Sequence, residues 1–436
     1  MPDTENSVGS VVPPPRTGSG TDRMDATNGA STHWPGADRN TADRPNTPTR
    51  PTPVTVRWES APDAATLAAW NGVVLRTAGT DVTQLSAWAA IRSLAGYSPR
   101  YVFAFQGGAL VGGALILRRR LAGFLSIGYL PYGPVIEESV GSRSAVVTAL
   151  VEELVGFARA QRLMFVQPPE HAQDVSDALL ARGFRPSKAG IAPAGSYRLD
   201  LTPPLEQIRA GFSKRLKSWT NRWAGKGVRV RRGDESDLAL LVSLMARTGA
   251  RQGFRPPPLD YVRTMYRELG ALGQVAIFVG EVDGVAVSAD VVTVCAGMVR
   301  GRLGGFDGSG EAGKLSVPAA VRWEIIQWAK ASGYRYLDFG GLPERMLVDM
   351  IDHGIHSSDE WPSAQRSKLQ FNGHAFRYPT PVELVRPSPV RRAYDWGTSH
   401  AGGRRIVAAA KDILRGNRRH VHGPAATSGG EDNKYH

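Results

Sequence analysis

Two stretches of sequence decide the fold of this chain: VFAFQGGALVGGALIL at residues 102–117 and AIFVGEVDGVAVSADV at residues 276–291. Each is a run of apolar, β-branched and aromatic residues with small or polar residues near its middle, a pattern typical of a β-hairpin. The first hairpin is predicted to turn at Gly107-Gly108, and its apolar run is too short and too interrupted to cross a bilayer. The likeness of the two hairpins indicates an internal duplication.

The elements predicted around each hairpin follow the same order. In the first unit they are helices at 62–76 and 84–95, the hairpin at 101–120, a strand at 125–136, a helix at 144–161, a strand at 163–167, a helix at 174–181 and a strand at 197–201. In the second unit they are helices at 236–248 and 260–269, the hairpin at 274–294, a strand at 299–306, a helix at 317–332 and a strand at 336–339. Helices that alternate with hairpins predict an α/β sandwich, repeated once, with helices packed on mixed sheets.

Composition sets the limits of the two units. Residues 1–53 have too few large apolar side chains to offset the entropy of ordering, so we predict a disordered tail there and another at 416–436. Between the tails we predict a first unit at 54–202, a second unit at 203–385, and a basic C-terminal segment at 386–415 that packs on or near the first unit.

The 436 residues carry a formal net charge of +13, which is concentrated in two segments. Nine Lys or Arg and no acid lie between Arg209 and Arg232, and nine Lys or Arg with only two acids lie between Arg386 and Arg419. Clustered positive charge predicts a polyanionic partner such as RNA, a phosphorylated precursor or anionic lipid, although a solvated basic surface has the same composition.

Little in the sequence indicates metal, cofactor or export. The one cysteine, Cys295, excludes an intramolecular disulfide, and no Cys/His spacing indicates structural zinc. The acids and histidines of DMIDHGIH at 349–356 are weak ligand candidates because Gly354 would break the helix that aligns them. We therefore predict no metal and no cofactor. The start of the sequence does not read as a secretion signal, so we expect a cytoplasmic protein. Peripheral contact with the inner face of an anionic membrane is an open alternative. We also expect a monomer.

Several strings resemble, in the same order, the FemABX family of aminoacyl-tRNA-dependent aminoacyltransferases that form peptidoglycan bridges. The strings are SAWAAIRSLAGY at 86–97, YLPYGPV at 129–135, LLARGFRPSKAGIAPAGSYRLDL at 179–201, RTGARQGF at 247–254, WEIIQWAKASGYRYLDFGG at 323–341 and SKLQFNGH at 367–374. No single string is decisive, but together they span about residues 55–400. The resemblance implies two tandem GNAT-like (acyl-CoA N-acyltransferase-type) units.

The chain departs from the family pattern at two places. The segment LKSWTNRWAGKGV at 216–228 only approximates the family's arginine-rich stretch and continues without a coiled-coil arm, so the chain resembles the armless members. Ser367 stands where Phe usually precedes the family lysine, and the stretch 341–367 is lengthened. The first departure bears on the role of the basic residues in that segment, and the second bears on the choice of acceptor.

The resemblance implies that an amino acid moves from aminoacyl-tRNA to an amine of a phosphorylated muropeptide or lipid-linked precursor. It places Lys368 at the family lysine, where a cation beside the ester carbonyl would stabilise the developing negative charge. It also makes Arg92, Arg251, Tyr129 and Tyr132 candidates for holding the acceptor, since a guanidinium matches phosphate oxygens. The plainer alternative for each charged residue is a solvated side chain or a surface ion pair.

Two further groups of residues are predicted from their own positions. Asp338, at the end of the predicted strand in LDFGG, is expected to orient the acceptor amine or accept its proton, unless it only caps a turn. Basic residues interleaved with Trp219 and Trp223 are expected to follow an RNA backbone while the indoles stack on bases, unless the indoles are buried. These predicted tRNA-binding residues are Lys214, Arg215, Lys217 and Arg222.

Alternative functions stay open at this stage. A GNAT-like unit also suggests an acyl-CoA N-acyltransferase, although neither unit has a clean Arg/Gln-x-x-Gly-x-Gly/Ala turn to bind the pyrophosphate. A non-catalytic RNA- or envelope-binding protein would form a stoichiometric complex without product. Within the favoured class, the acceptor is either a cell-wall precursor or a natural-product amine or hydroxylamine.

Overall fold

The computed structural model describes residues 52–121, 126–190 and 192–400. Its helices are α1 Ala64–Arg76, α2 Ser86–Ser93, α3 Arg143–Gln161, α4 Gln173–Leu180, α5 Leu205–Gly211, α6 Lys214–Thr220, α7 Leu238–Gln252, α8 Leu259–Gly270, α9 Val317–Ala331, α10 Glu344–Leu347, α11 Ser363–Leu369 and α12 Ser388–Ser399. Its strands are β1 Val54–Glu59, β2 Ser98–Gln106, β3 Ala109–Arg120, β4 Ser126–Pro131, β5 Val135–Ile136, β6 Arg162–Gln167, β7 Arg185–Pro186, β8 Gly195–Asp200, β9 Val228–Arg232, β10 Val275–Val282, β11 Val285–Cys295, β12 Met298–Phe306, β13 Tyr336–Gly341, β14 His374–Arg377 and β15 Val382–Val385.

The strands form two mixed sheets of the same design. The order in the first sheet is β1-β2-β3-β4-β6-β15-β7, with β5 paired to β3, and the order in the second is β14-β8-β13-β12-β11-β10-β9. Each sheet has one parallel pair, β4 with β6 and β12 with β13, among antiparallel neighbours. When the strand order of the second sheet is reversed, it matches the strand order of the first sheet position by position. The duplication predicted from the hairpins is therefore present in the topology.

The two sheets exchange strands at the predicted domain boundaries. Strand β8, which the sequence assigns to the first unit, pairs with β13 and β14 in the second sheet. Strand β15, which the sequence assigns to the second unit, pairs with β6 and β7 in the first. The predicted limits at 202 and 385 therefore do not follow sheet membership, because backbone pairing partners distant in the chain leave no local signal.

Helices cover both sheets and meet between them. Helices α3 and α4 pack on one face of the first sheet around Leu150, Leu154 and Val175. Helices α1 and α2 share a single apolar core with α7 and α8, in which Trp70 is fully buried. On the outer face of the second sheet, α5, α6 and α9 bury Phe212 and their other apolar side chains. The α/β fold class predicted from the sequence is confirmed.

The predicted elements differ from the structure mainly at their ends and in short segments. The strand predicted at 125–136 is interrupted after Pro131, because Tyr132 adopts a positive φ of 49° and Gly133-Pro134 follows. Of the basic C-terminal segment, only residues up to 400 are described, and there α12 contacts β15 of the first sheet. Residues 401–415 of that segment, the tail at 416–436 and most of the tail at 1–53 lie outside the described residues. Among the described helices, none has the length and apolarity to cross a membrane.

Candidate active site

The parallel strands of the two sheets behave differently, and the difference creates a cleft. Strands β4 and β6 stay paired along six residues, from Ser126 opposite Arg162 to Pro131 opposite Gln167. Strands β12 and β13 pair at only three positions, the last being Arg300 opposite Asp338, and then separate. A cavity of about 190 Å³ lies in the gap. This cavity adjoins a larger cleft of about 430 Å³, which is lined by β11 and β12 on one side and by α7, α9 and α11 on the other. We call the larger space the β12–β13 cleft, because it opens beside the gap between those strands.

A carboxylate in the wall of this cleft is Asp290 on β11. It stands opposite Gly304 on β12, where a Cβ would collide with its Oδ1 atom, so the glycine leaves room for the carboxyl group. Burial raises the pKa of Asp290 to about 6, against the opposing effect of Arg322. A carboxyl group with this pKa is well suited to accept a proton near neutral pH.

Lys368 lies across the cleft from the sheet, on α11. Its ammonium group donates hydrogen bonds to the carbonyl oxygens of Gly340 and Gly341 at 3.1 and 2.9 Å. Burial and the positive charge of Arg322 lower the pKa of Lys368 to about 8, although Asp338 opposes the shift. Two carbonyls therefore hold this half-buried cation at the end of β13 and leave its third donor for another group.

Asp338 lies behind this arrangement rather than in it. Its side chain is fully buried and accepts hydrogen bonds from Ser196, from Tyr378 and, at 2.7 Å, from the backbone N–H of Gly340. The guanidinium of Arg300 lies 3.2 Å from its Oδ2 atom. Through its bond to the N–H of Gly340, Asp338 orders the turn whose carbonyl holds Lys368. This enclosed position suits the positioning of Lys368 rather than the predicted direct contact with the acceptor amine.

A buried network continues from Arg300 into the first unit. Arg300 and Arg302 lie 2.6 and 2.9 Å from Asp81, in the turn before α2. Burial alone would raise the pKa of Asp81, but the two guanidinium groups outweigh it and lower the pKa to about 2. Next to this contact, the paired side chains of Arg198 and Glu170 also link the second sheet to the first unit. The cleft is therefore fixed against the first unit by buried charge pairs, whose disruption is strongly destabilising.

The structure separates the predicted acceptor residues into two places. Arg251, at the end of α7, lines the β12–β13 cleft together with Arg215 and Lys368. Arg92 lies at the end of α2, where its guanidinium covers the ring of Tyr97 at 4.8 Å.

The two predicted tyrosines lie in the first unit, one of them at its junction with the second. Tyr129 lines a separate cavity of about 140 Å³ beside Gln167, and burial raises its pKa. Tyr132 is buried under Arg300, 4.9 Å from its guanidinium, and meets Tyr378 edge to face. The predicted residues therefore do not converge on one acceptor site.

The predicted tRNA segment is a helix with one buried face. Trp223 is 6% exposed and donates its indole N–H to the carbonyl of Leu315, so it cannot stack on a base as predicted. Trp219 packs against the same core and lies under the guanidinium of Arg222. Lys214 and Arg215 are exposed, and Lys217 donates to the carbonyl of Ala210 at 3.1 Å. The basic face can still meet a phosphate backbone, but not through paired indoles.

Two of the acids among the weak metal-ligand candidates at 349–356 bind other side chains of the protein. Asp349 accepts a hydrogen bond from the indole of Trp361, and Asp352 pairs with Arg377 at 2.7 Å. Within the part of the chain that the structure describes, no three His, Cys, Asp or Glu side chains are grouped to hold a metal ion.

Sequence reasoning missed Asp290 and Arg322. Asp290 is the only charged residue in the strand sequence VAVSADVVTVC, and a buried charge in a strand was the signal that could have found it. Arg322, on α9, donates to the hydroxyl of Ser367 at 3.2 Å and influences the pKa of both Asp290 and Lys368. Nothing in the spacing of 290, 322 and 368 indicates that these residues share a cleft.

The sheets, the separated parallel strands and the cleft between them define a protein with two tandem GNAT-like units. Residues 210–346 match a family model described as an acetyltransferase (GNAT) domain. The chain is 24% identical over 216 residues to the lipid II:glycine glycyltransferase of Staphylococcus aureus, an alignment that covers 47% of this chain and 51% of the relative. The chain thus spans about half the length of the curated relatives it matches.

A solved structure shares the fold over most of the chain. The crystal structure of FemX superimposes with a TM-score of 0.65 at 16% identity and covers 77% of this chain and 99% of FemX. Homology to the glycyltransferase, together with this fold, supports a FemABX-family identity for the chain. The family resemblance stated from the sequence strings is thereby confirmed.

Proposed function

We propose that this protein is an aminoacyltransferase that moves an amino acid from aminoacyl-tRNA to an amine of a peptidoglycan precursor, as a step in forming interpeptide bridges. The observation that carries the proposal is the β12–β13 cleft, in which a carboxylate, Asp290, and a cation, Lys368, line one cavity. The homologous glycyltransferase, named for lipid II and glycine, supports the substrate class.

The chemistry needs no enzyme nucleophile because an aminoacyl ester is already activated. The acceptor amine attacks the ester carbonyl, a C–N bond forms, and negative charge develops on the carbonyl oxygen. Lys368 donates to that oxyanion. Asp290 accepts the proton that the amine loses, and the ester C–O bond breaks with a proton returned to the departing tRNA ribose oxygen. The free Cys295 is buried, and burial raises its pKa to about 12, so it takes no part.

Acceptor binding is proposed for two regions. Arg251, which lines the cleft, is proposed to bind a phosphate of the acceptor. Arg92, with Tyr129 and Tyr132 of the first unit, is proposed to hold a more distant part of the precursor. An extended acceptor, either nucleotide-linked muropeptide or lipid-linked precursor, fits two separated sites better than a small amine does.

The exposed face of α6 is proposed to contact the tRNA backbone, since Arg215 reaches from α6 into the cleft. We expect the Lys214→Ala/Arg215→Ala variant to flatten the dependence of tRNA affinity on salt by about one to two phosphate contacts, because each neutralised phosphate releases counterions. Filter binding across a salt series measures this slope. The control variant Arg263→Ala/Arg267→Ala removes the same charge from the exposed side of α8. An unchanged slope in the α6 variant would remove α6 from the tRNA surface.

Asp338 gives a test of positioning. Because its negative charge opposes the lowering of the Lys368 pKa, the Asp338→Asn variant should lower that pKa further. We expect the alkaline limb of the rate profile to move to lower pH. We also expect kcat to fall by about tenfold, because the asparagine can still accept from the N–H of Gly340 but Arg300 loses a charge partner. The control is Asp352→Asn, which breaks an exposed pair. A lower kcat with an unmoved limb would mean a purely structural effect.

The decisive experiment offers the protein a full pool of charged tRNAs with nucleotide-linked muropeptide and, separately, with lipid-linked precursor. We expect one amino acid to leave its tRNA and appear on the precursor amine, by mass spectrometry. Turnover of acetyl-CoA without tRNA would replace this function by acyl-CoA-dependent acylation. A stable complex with charged tRNA but no product would indicate a non-catalytic binding protein. We further propose that the protein acts as a cytoplasmic monomer that reaches lipid-linked acceptors at the inner face of the membrane.

A further inference from the structure

A further cavity, separate from the cleft, is lined by five arginines. It has a volume of about 560 Å³ and lies where β6 begins and β15 ends. We call it the arginine cavity. Its arginines are Arg159, Arg162, Arg185, Arg386 and Arg391, and its single lining carboxylate is Glu383.

The cavity lies at the opposite end of β6 from the contact that joins Tyr132 of the first unit to Arg300 of the second sheet. Arg386 donates its backbone N–H to the carbonyl of Arg162, the first residue of β6. At the other end of β6, the carbonyl of Gln167 accepts from Gly133, beside Tyr132, which meets Arg300 of the second sheet. The six residues of β6 therefore separate the two places by about 17–20 Å of strand.

The negative charge near the cavity is already used. Glu383 is fully buried and accepts hydrogen bonds from Arg185, Ser187, Tyr394 and the backbone N–H of Lys188. Asp395 on α12 forms a bidentate pair with Arg185 at 2.7 and 2.9 Å. Both carboxylates are therefore already engaged by groups of the protein itself.

The outer wall keeps its positive charge. Arg159, Arg386 and Arg391 are exposed, and among the described residues their guanidinium groups form no hydrogen bond and no salt bridge within 4 Å, although the charge of Arg391 helps to lower the pKa of Asp395. Three guanidinium groups held around one concave surface repel each other unless an anion lies between them, and their planar donors match phosphate oxygens. The cavity is thus built for a phosphate group rather than for a neutral ligand.

Helix α12, which contributes Arg391 to the cavity, also carries an exposed apolar side chain on its outer face. Trp396 is 58% exposed, one of the few large apolar side chains left in water, and lies one turn from the exposed Arg392. An exposed indole among arginines is typical of a surface that meets a lipid–water interface. In the sequence, residues 404–419 carry five Arg and one Lys with a single acid, Asp412, and they lie outside the described residues.

We propose that the arginine cavity and the outer face of α12 form a docking surface for an anionic phospholipid membrane, with a lipid phosphate in the cavity and Trp396 in the interface. The proposal deepens the proposed function, since a lipid-linked acceptor lies at a membrane. Its test does not depend on turnover.

The test is co-flotation of the full chain with vesicles of phosphatidylcholine alone or mixed with phosphatidylglycerol. We expect binding only to the mixed vesicles, and about 30-fold weaker binding by Arg386→Ala/Arg391→Ala, since each basic side chain near an anionic surface contributes about a fivefold factor. Trp396→Ala should bind several-fold more weakly. The matched control, Arg263→Ala/Arg267→Ala on α8, should bind as the parent does, and thermal unfolding checks that all variants fold.

The same variants separate this proposal from its competitors. Arg386→Ala/Arg391→Ala should keep its rate with nucleotide-linked acceptor and its tRNA affinity, because the cavity is separate from the cleft. Loss of tRNA affinity with vesicle binding retained would overturn the proposal and make the cavity an RNA surface. Equal binding of parent and variant to the mixed vesicles would also overturn it, whether or not the protein proves to be an aminoacyltransferase.

Discussion

Replacing Lys368 by alanine is expected to lower kcat by about 10³-fold with both substrates saturating, because one oriented donor to a developing oxyanion contributes roughly this factor. In the variant, the carbonyls of Gly340 and Gly341 that now accept from the ammonium group would accept hydrogen bonds from water, so the fold should be kept. Single-turnover transfer from isolated aminoacyl-tRNA measures the chemical step directly.

Two further variants make the Lys368 experiment specific. Lys330 on α9 also donates to two backbone carbonyls, those of Leu201 and Thr202, but it does not line the cleft. Lys330→Ala should therefore lose some stability and keep kcat. Lys368→Arg keeps a cation that does not titrate and should retain part of the rate while the alkaline limb disappears. Near-parental turnover by Lys368→Ala would exclude the proposed role.

Replacing Asp290 by asparagine is expected to reduce kcat/KM by about 10³-fold, within the range that a positioned general base contributes. The amide has nearly the same shape and cannot accept the amine proton. Asp283→Asn, at the turn of the same hairpin, is the control for a charge change in β10–β11. Should Asp290→Asn retain the parental rate at pH 7, the proton must leave by another route.

The pH dependence follows from the same two groups. The carboxyl of Asp290 must be ionised, so the rate should rise with pH through about 6, and Lys368 must be protonated, so the rate should fall through about 8. The Asp290→Asn variant should lose the acidic limb only. Because burial raises the pKa of Asp290 from 3.8 to about 6, its contribution to stability is lost as the pH rises from about 4 to about 6, and the cost is fully present at pH 7, where the asparagine variant should be more stable.

Much of the architecture was predictable because it depends on local patterns. Apolar hairpins such as 102–117 and amphipathic helices such as 317–332 follow from periodicity, and their repeated order indicated the duplication. The break after Pro131 and the short strands β14 and β15 were not predicted. Their positions depend on partners far away in the chain, so their few residues carry no distinctive period.

The candidate site was predictable only in part. Lys368 was found through the family strings, and it does line the cleft. Asp338 was found as a polar residue at a strand end, but whether it faces substrate or is enclosed by Ser196, Arg300 and Tyr378 depends on packing from three other strands and loops. For Trp223 the sequence allowed both a stacking platform and a core residue, because an indole in a basic helix looks the same in both cases, and the structure shows it buried in the core.

Hydrophobic periodicity, composition and short motifs are properties of neighbouring residues, so the sequence was sufficient to predict the duplicated α/β units, the clustering of positive charge and the position of the family lysine. The folded structure was needed to show that β12 and β13 separate where β4 and β6 stay paired, that β8 and β15 change sheets, and that Asp290, Arg322 and Lys368 line one cleft. These outcomes are set by backbone pairing and burial between residues tens to hundreds of positions apart. Such contacts form only when the chain is folded, and they also give the Asp290 carboxyl group and the Lys368 ammonium group their shifted pKa values.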